Sequence, residues 1–241
     1  MIEQALIFAA GRGERMRPLS DVTPKPLLHA GGKRLIEWHL GNLAAAGVRE
    51  VVINTSHLAD QFPAALGDGA RWNLRIAYSY EGPQPLETGG GMLRALPLLG
   101  SSPFIAVNGD TWTDFDFSTL PQDPPALAHL VLVVNPAHRP DGDFGIDNDG
   151  RLQPHPAPER AWHALTFAGI GVYRPEVLAD WRRLSGLTRG TEHEPPRFST
   201  VPLLRARMPR GEVSWQFHAG IWTDVGTPQR LDELDAVLHM G

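Results

Sequence analysis

The first half of the chain alternates short apolar runs with amphipathic segments. Continuous apolar runs predict buried strands over residues 5–10, 51–54, 76–80 and 104–108. Apolar residues spaced three or four apart predict helices over residues 35–46, 58–66 and 92–99. Strands that alternate with helices indicate βαβ units, so we expect an α/β fold with a mostly parallel central sheet flanked by helices. In such folds, ligands bind at the carboxyl ends of the strands.

The second half of the chain is less regular. Apolar runs predict strands over residues 130–135, 166–173 and 213–217. The polar run at 147–150 is typical of a hairpin turn, and residues 228–239 have the spacing of an amphipathic helix. Stretches rich in proline or histidine predict loops over residues 121–125, 136–142 and 153–163. With no internal repeat and no interdomain linker, residues 1–241 are expected to form a single domain.

Composition and charge narrow the class of protein. The chain is 42% hydrophobic and 20% charged, which is typical of a packed domain. Its formal net charge of −5 argues against a nucleic-acid partner, which would require a basic surface. The absence of cysteine excludes a disulfide framework, a thiolate zinc site and a catalytic thiol. The apolar start follows no basic segment and is too short to span a bilayer, so we expect a cytoplasmic protein without a membrane partner.

A glycine turn and a rare lysine follow the first predicted strand. Gly11 and Gly13 form a turn whose backbone N–H groups can bind phosphate, although Met16 stands where a dinucleotide motif needs its third glycine. Arg15 can fork two phosphate oxygens, and Lys25 offers a compact point charge. Lys25 is one of only two lysines among 22 basic residues. Taken alone, the glycines are typical of a tight turn and each cation of a solvated surface residue. Together they favour a triphosphate site.

Two carboxylates lie where a predicted strand ends and where a predicted helix begins. Asp110 follows the strand at 104–108, and Asp224 precedes the C-terminal helix. Mg²⁺ takes one or two carboxylates together with phosphate oxygens and water, so this pair predicts a magnesium site. Each could instead be a turn or helix cap, the role that we expect for Asp114 and Asp116.

A further carboxylate and a glycine run are candidates for holding a base. Glu81 can accept an N–H from the edge of uracil or guanine, and the glycines at 89–91 let a backbone approach a flat base closely. The alternative is a loop in which Thr88 caps a helix. The histidines form no metal-ligand motif, and no motif marks a nucleophilic serine.

Taken in order, these segments resemble the sugar-1-phosphate nucleotidyltransferase family. The family's opening signature matches residues 8–19, and it is followed by Pro-Lys-Pro at 24–26, Gly-Asp at 109–110 and Asp-Val-Gly-Thr at 224–227. The resemblance covers nearly the whole chain. It implies a Rossmann-like nucleotidyltransferase fold with a nucleotide-binding front half and a smaller, β-rich, sugar-binding portion in the back half.

The resemblance also implies roles for individual residues. The nucleotide would be held by Ala10, Gly11, Arg12, Gly13, Lys25, Glu81, Thr88 and Gly89. The catalytic residues would be Arg15, Lys25 and Asp110, with Mg²⁺ as the cofactor on Asp110 and Asp224. The sugar would contact Asn108, Asp143 and Gly169.

Relatives bind the sugar phosphate through the lysine of a Glu-Lys-Pro segment. Here the nearest counterpart is Glu159-Arg160, with Arg197 as an alternative. Within the family, the segments at 85–91 and 108–114 are most similar to the branch that uses N-acetylmuramate 1-phosphate in peptidoglycan recycling. Guanylyl- and thymidylyltransferases usually carry glycine where this chain has Glu87.

The expected partners are UTP and a sugar 1-phosphate, and the chain is expected to be a monomer or a small homo-oligomer. In the hypothesised reaction, the sugar phosphate attacks the α-phosphorus of UTP and expels pyrophosphate. The nucleophile is already anionic, so the reaction needs positioning and charge stabilisation rather than a general base. Two alternatives remain: a guanylyl- or cytidylyltransferase with another phosphorylated substrate, and a non-catalytic nucleotide-binding regulator. A regulator should have lost part of the set Arg15, Lys25, Asp110 and Asp224.

Overall fold

The computed structural model describes residues 1–154, 163–186 and 196–240. The strands are β1 (Gln4–Phe8), β2 (His29–Ala30), β3 (Lys33–Arg34), β4 (Glu50–Thr55), β5 (Arg75–Tyr80), β6 (Phe104–Asn108), β7 (Thr111–Thr113), β8 (Ala128–Val133), β9 (Phe144–Ile146), β10 (Leu152–Pro154), β11 (His163–Tyr173), β12 (Val213–Phe217) and β13 (Trp222–Asp224). The α-helices are α1 (Leu19–Val22), α2 (Leu35–Ala45), α3 (Gln61–Leu66), α4 (Glu87–Leu99), α5 (Trp181–Leu184), α6 (Val201–Arg207) and α7 (Pro228–Met240).

One sheet contains strands from both halves of the chain. Its order is β10-β9-β11-β6-β1-β4-β5, and β8 and β12 join it through β11. The front strands β5, β4, β1 and β6 are parallel, which confirms the α/β prediction. The long strand β11 runs antiparallel to β6, β8 and β9, and β9 and β10 form the predicted hairpin. The carboxyl ends of β1 and β6 therefore lie side by side at the boundary between the parallel and antiparallel parts.

Apolar side chains cover both faces of the sheet, which is why the front strands read as continuous apolar runs. On one face, α2 and α3 contribute Leu40 and Phe62 to a core that also holds Ile53. On the other face, α4 and α6 contribute Met92 and Leu203. None of the helices in the described ranges is long and apolar enough to cross a membrane.

A third apolar cluster anchors the C-terminal helix to the glycine turn. Leu231 and Leu234 of α7 pack with Met16, which follows that turn, and with Trp112 of β7. β7 pairs antiparallel with β13, a two-stranded sheet that the apolar pattern did not predict. The C-terminal helix and the β7–β13 pair thereby position the segment around Asp110.

The helix predicted over residues 92–99 begins earlier, at Glu87, so the glycines at 89–91 are helical. Neighbouring segments pack so closely against this first turn of α4 that residues 89–91 have no room for side chains. A Cβ at Gly89 would overlap the Phe198 ring, and one at Gly90 would overlap the carbonyl of Pro196. The glycines therefore serve close packing of the helix, which outweighs their low intrinsic helix propensity.

Candidate active site

A cleft of about 840 Å³ opens at the carboxyl ends of β1 and β6. The predicted residues that line it are Ala10, Gly11, Arg12, Gly13, Arg15, Lys25, Glu81, Thr88, Asn108 and Asp110. Most of the predicted nucleotide-binding and catalytic positions therefore share one cleft. Gly89, Asp143, Gly169 and Asp224 do not line it.

Gly13 gives the turn after β1 its shape. Its φ of 61° lies in the left-handed region that favours glycine, and a Cβ there would lie 3.2 Å from Ser20 Cβ. The Ser20 hydroxyl donates a hydrogen bond of 2.7 Å to the Gly13 carbonyl. A Cβ at Gly11 would meet no atom of the other described residues within 4 Å, so the turn is open on that side. Arg12 donates to the Pro83 carbonyl at 3.0 Å and links the turn to the loop opposite.

Lys25 and Asp110 form an ion pair in the cleft. The Lys25 ammonium lies 2.6 Å from Asp110 Oδ2, and Lys25 is only 7% exposed. Asp110 is held by its neighbour Gly109, whose N–H donates to the Phe8 carbonyl at 2.9 Å. The second carboxylate oxygen of Asp110 has no hydrogen-bond partner among the described residues, and the side chain is 41% exposed. Two of the predicted catalytic residues are thus in direct electrostatic contact.

Arg15 is exposed and lines the same cleft. Its guanidinium lies beside Gly226, because a Cβ at that glycine would be 3.3 Å from Arg15 Nη2. Among the described residues, its side chain has no hydrogen-bond or ion-pair partner. Arg15 is therefore a cation that an anionic ligand can reach.

Asp224 lies next to Asp110 along the backbone, but its carboxylate has other partners. It pairs with Thr111 in the β7–β13 ladder, and the neighbouring Val225 N–H donates to the Asp110 carbonyl at 3.0 Å. The Asp224 carboxylate forms an ion pair with Arg230 and lies 3.0 Å from His138 Nε2. Within the described residues, no three His, Asp or Glu side chains cluster closely enough to hold a metal ion by themselves. The structure thus brings the two segments together without directing both carboxylates into the cleft.

Glu81 is buried, and both of its carboxylate oxygens have protein partners. Oε1 accepts from Asn54 Nδ2 at 2.6 Å, and Oε2 accepts from the Leu86 N–H at 2.7 Å. Burial raises the pKa of Glu81, although these hydrogen bonds oppose the shift. Asn54 in turn accepts the Ala9 N–H at 2.6 Å. Glu81 therefore braces the strand ends, and its contact with a base stays a prediction.

Asn54 is a site residue that sequence reasoning missed. It lines the cleft and, although it is polar, lies within the buried strand β4. The available signal was an amide near the carboxyl end of an otherwise apolar strand, where polar side chains collect around ligands.

The start of α4 places Thr88 and Glu87 at the cleft. Thr88 Oγ1 accepts the Thr200 N–H at 3.0 Å, whereas Gly89 packs beneath Phe198 and lies outside the cleft. Glu87 has a φ of 62°, an uncommon conformation for a residue with a side chain, and forms an ion pair of 3.3 Å with Arg197. Arg197 also lines the cleft, so its contact with the sugar phosphate stays a prediction, whereas Glu159 and Arg160 lie outside the described residues.

The predicted sugar-binding residues meet at a smaller cavity of about 230 Å³ that shares Phe8, Thr88 and Asn108 with the cleft. Asp143 and Gly169 line it. Gly169 has a φ of 74° at an irregularity in β11, and a Cβ there would lie only 2.5 Å from Asn108 Nδ2. The glycine therefore makes room for Asn108 between the two cavities.

Residues 4–239 match the family model described as nucleotidyl transferase. The chain belongs to this family. An N-acetylmuramate alpha-1-phosphate uridylyltransferase from Neisseria meningitidis serogroup B is 47% identical over 239 residues, which cover 97% of each chain. A protein of the same name from Caulobacter vibrioides is 33% identical and covers 93% of this chain and 92% of its own length.

A solved nucleotidyltransferase structure has the same fold. The putative glucose-1-phosphate thymidylyltransferase from Bacillus anthracis aligns with a TM-score of 0.77 at 20% identity, covering 98% of this chain and 94% of its own. At that identity the likeness concerns architecture alone. It confirms the Rossmann-like nucleotidyltransferase fold that the motifs predicted.

Proposed function

We propose that this nucleotidyl transferase moves a uridylyl group from UTP to N-acetylmuramate 1-phosphate, giving the UDP-sugar and pyrophosphate. The observation that carries the proposal is the Lys25–Asp110 pair, which lies at 2.6 Å in the cleft formed by the glycine turn. The choice of uracil and of N-acetylmuramate follows from the relative that is 47% identical and spans 97% of the chain. We place the reaction in the cytoplasm, in peptidoglycan recycling.

The arrangement suits phosphoryl chemistry that depends on charge and position. The attacking phosphate oxygen of the sugar 1-phosphate is anionic near neutral pH, so no side chain has to remove a proton. The cations that would hold the nucleotide phosphates are Lys25 and Arg15, whose guanidinium has no partner in the described part of the chain. The adjoining smaller cavity would hold the sugar, and its phosphate would then lie towards the same two cationic side chains.

We also propose that Mg²⁺ binds at Asp110, whose second carboxylate oxygen lacks a partner among the described residues. Mg²⁺ commonly binds one or two protein carboxylates and completes its coordination shell with phosphate oxygens and water. One available carboxylate oxygen of Asp110 in a phosphate cleft fits this pattern. When bound, the ion would neutralise charge on the reacting phosphates. Asp224 would join it only after exchanging its Arg230 and His138 contacts.

The test is a substrate panel. The purified chain is incubated with Mg²⁺, each of UTP, GTP, CTP and dTTP, and the 1-phosphates of N-acetylmuramate, N-acetylglucosamine, glucose and mannose. Pyrophosphate release is followed over time. We expect the highest kcat/KM for UTP with N-acetylmuramate 1-phosphate.

A preference for GTP or CTP would replace the uridylyl assignment with the guanylyl- or cytidylyltransferase alternative. Saturable nucleotide binding without pyrophosphate release from any pair would identify a non-catalytic regulator. Either result would overturn the proposed function.

A further inference from the structure

The smaller cavity combines an aromatic wall with two arginines. Phe144, Phe167 and Tyr173 supply apolar surface, while Arg139 and Arg205 bring positive charge. Because this cavity adjoins the main cleft through Phe8, Thr88 and Asn108, a sugar inside it would keep its phosphate near Lys25 and Asp110.

The two arginines differ in how their charges are compensated. Arg139 forms hydrogen bonds of 2.7 Å and 3.0 Å with the two carboxylate oxygens of Asp143. Asp143 also accepts the Phe167 N–H at 2.9 Å, so this pair is built into the cavity wall. Arg205, on α6, is exposed and has no hydrogen-bond or ion-pair partner within the described part of the chain. Among the described lining residues, one positive charge is therefore left uncompensated.

We propose that Arg205 selects a sugar 1-phosphate that carries a carboxylate, by forming a charged hydrogen bond to that group. This inference rests on the proposed function, since N-acetylmuramate differs from N-acetylglucosamine by a lactyl ether that ends in a carboxylate. A guanidinium presents a planar pair of donors that matches a carboxylate. Arg139 is the weaker candidate because Asp143 already occupies it.

The aromatic wall is compatible with the same substituent. The lactyl group carries a methyl next to its carboxylate, and apolar side chains beside an arginine can bind both parts together. A neutral sugar would leave the Arg205 charge without this partner.

The experiment uses three acceptors with UTP: N-acetylmuramate 1-phosphate, the same compound with its carboxylate converted to a carboxamide, and N-acetylglucosamine 1-phosphate. The enzymes are the unaltered chain, Arg205→Gln, Arg205→Lys and the control Arg210→Gln. Arg210 is exposed, follows α6 and lines neither cavity. Thermal melting checks that each variant is folded.

A charged hydrogen bond changes kcat/KM by roughly 10- to 100-fold. We expect the unaltered chain and Arg210→Gln to prefer the carboxylate over the carboxamide acceptor by about that factor. In Arg205→Gln the preference should fall to about threefold or less, mainly through KM, and Arg205→Lys should retain part of it.

An unchanged preference in Arg205→Gln, or an equal loss on all three acceptors, would overturn the role of Arg205. So would an unaltered chain that uses the carboxylate and carboxamide acceptors equally. A chain that turns over only neutral sugars refutes N-acetylmuramate as substrate, and one that turns over no acceptor refutes the proposed function itself.

Discussion

At the scale of single residues, the central feature is a lysine that is buried although most lysines are exposed. Lys25 is 7% exposed and is compensated by Asp110 at 2.6 Å. Its Cβ also lies close to the glycine turn, 3.3 Å from where a Cβ of Gly13 would be. Because position 25 is buried beside the turn, we expect a bulkier cation there to displace its neighbours.

Lys25→Arg tests this expectation because it keeps the charge and changes the shape. The larger guanidinium should be forced against the turn, and overpacking of this kind costs about 1–3 kcal/mol of unfolding free energy. We expect turnover to fall by at least about tenfold, measured as pyrophosphate release. Lys33→Arg is the matched control: Lys33 is exposed and stacks at 4.5 Å over Trp38, a contact that arginine can also make. Equal activity of the two variants would show that position 25 needs only a cation.

Asp110→Asn tests the proposed magnesium site. The change removes the carboxylate charge and leaves buried Lys25 without its counterion, so we expect a loss of turnover of about 100- to 1000-fold that added Mg²⁺ does not restore. Asp114→Asn is the control, because that carboxylate binds His218 at 2.9 Å and does not line the cleft. Near-normal turnover of Asp110→Asn would remove Asp110 from the proposed metal site.

At the scale of elements, α4 carries its glycines for packing. A Cβ at Gly91 would overlap Glu81 Oε1 and lie 2.6 Å from Asn54 Nδ2, the pair that braces the strand ends. Gly91→Ala should lower the unfolding free energy by about 1–3 kcal/mol and also reduce activity. Gly41→Ala, in α2, should instead raise the unfolding free energy by about 0.5–1 kcal/mol. No described residue outside the local helix lies within 4 Å of a Cβ there, and alanine favours helix.

Denaturant unfolding and pyrophosphate release measure both variants. If Gly91→Ala were as stable and active as Gly41→Ala, the close packing of α4 on Glu81 would not constrain the site.

The same elements show what the sequence could predict. The buried strands and amphipathic helices of the front half were predictable because each carries its own periodicity, and the order of motifs located the cleft. The start of α4 was not predictable, since its glycines pack against Phe198 and Pro196, which are distant in sequence. The side chains that bind the carboxylates of Asp224 and Glu81 could not be predicted either, because these are also tertiary contacts.

At the scale of the whole molecule, the structure predicts how stability depends on pH. His39 is buried, its Nε2 lies 2.8 Å from the Thr111 carbonyl, and burial lowers its pKa to about 4. The unfolded chain binds a proton on this histidine below about pH 6.5, while the folded chain does so only near pH 4. Stability is therefore lost as pH falls through this range, by about 2 kcal/mol at pH 5. Burial also lowers the pKa of His129, so this histidine adds to the loss of stability at low pH.

Urea unfolding between pH 7.5 and 5 measures this dependence. His39→Gln should flatten the curve, and His239→Gln, at an exposed position of α7, should leave it unchanged. A curve with the same slope in all three proteins would contradict the assignment to His39.

The central proposal is that the cleft around Lys25 and Asp110 transfers a nucleotidyl group to a sugar phosphate. The most direct measurement follows the phosphorus of UTP labelled at the α or the γ position, with N-acetylmuramate 1-phosphate as acceptor. We expect the α label in the UDP-sugar and the γ label in pyrophosphate. Transfer of the γ label to the acceptor, or release of the α label as free UMP, would show that the cleft does not catalyse nucleotidyl transfer to the sugar phosphate.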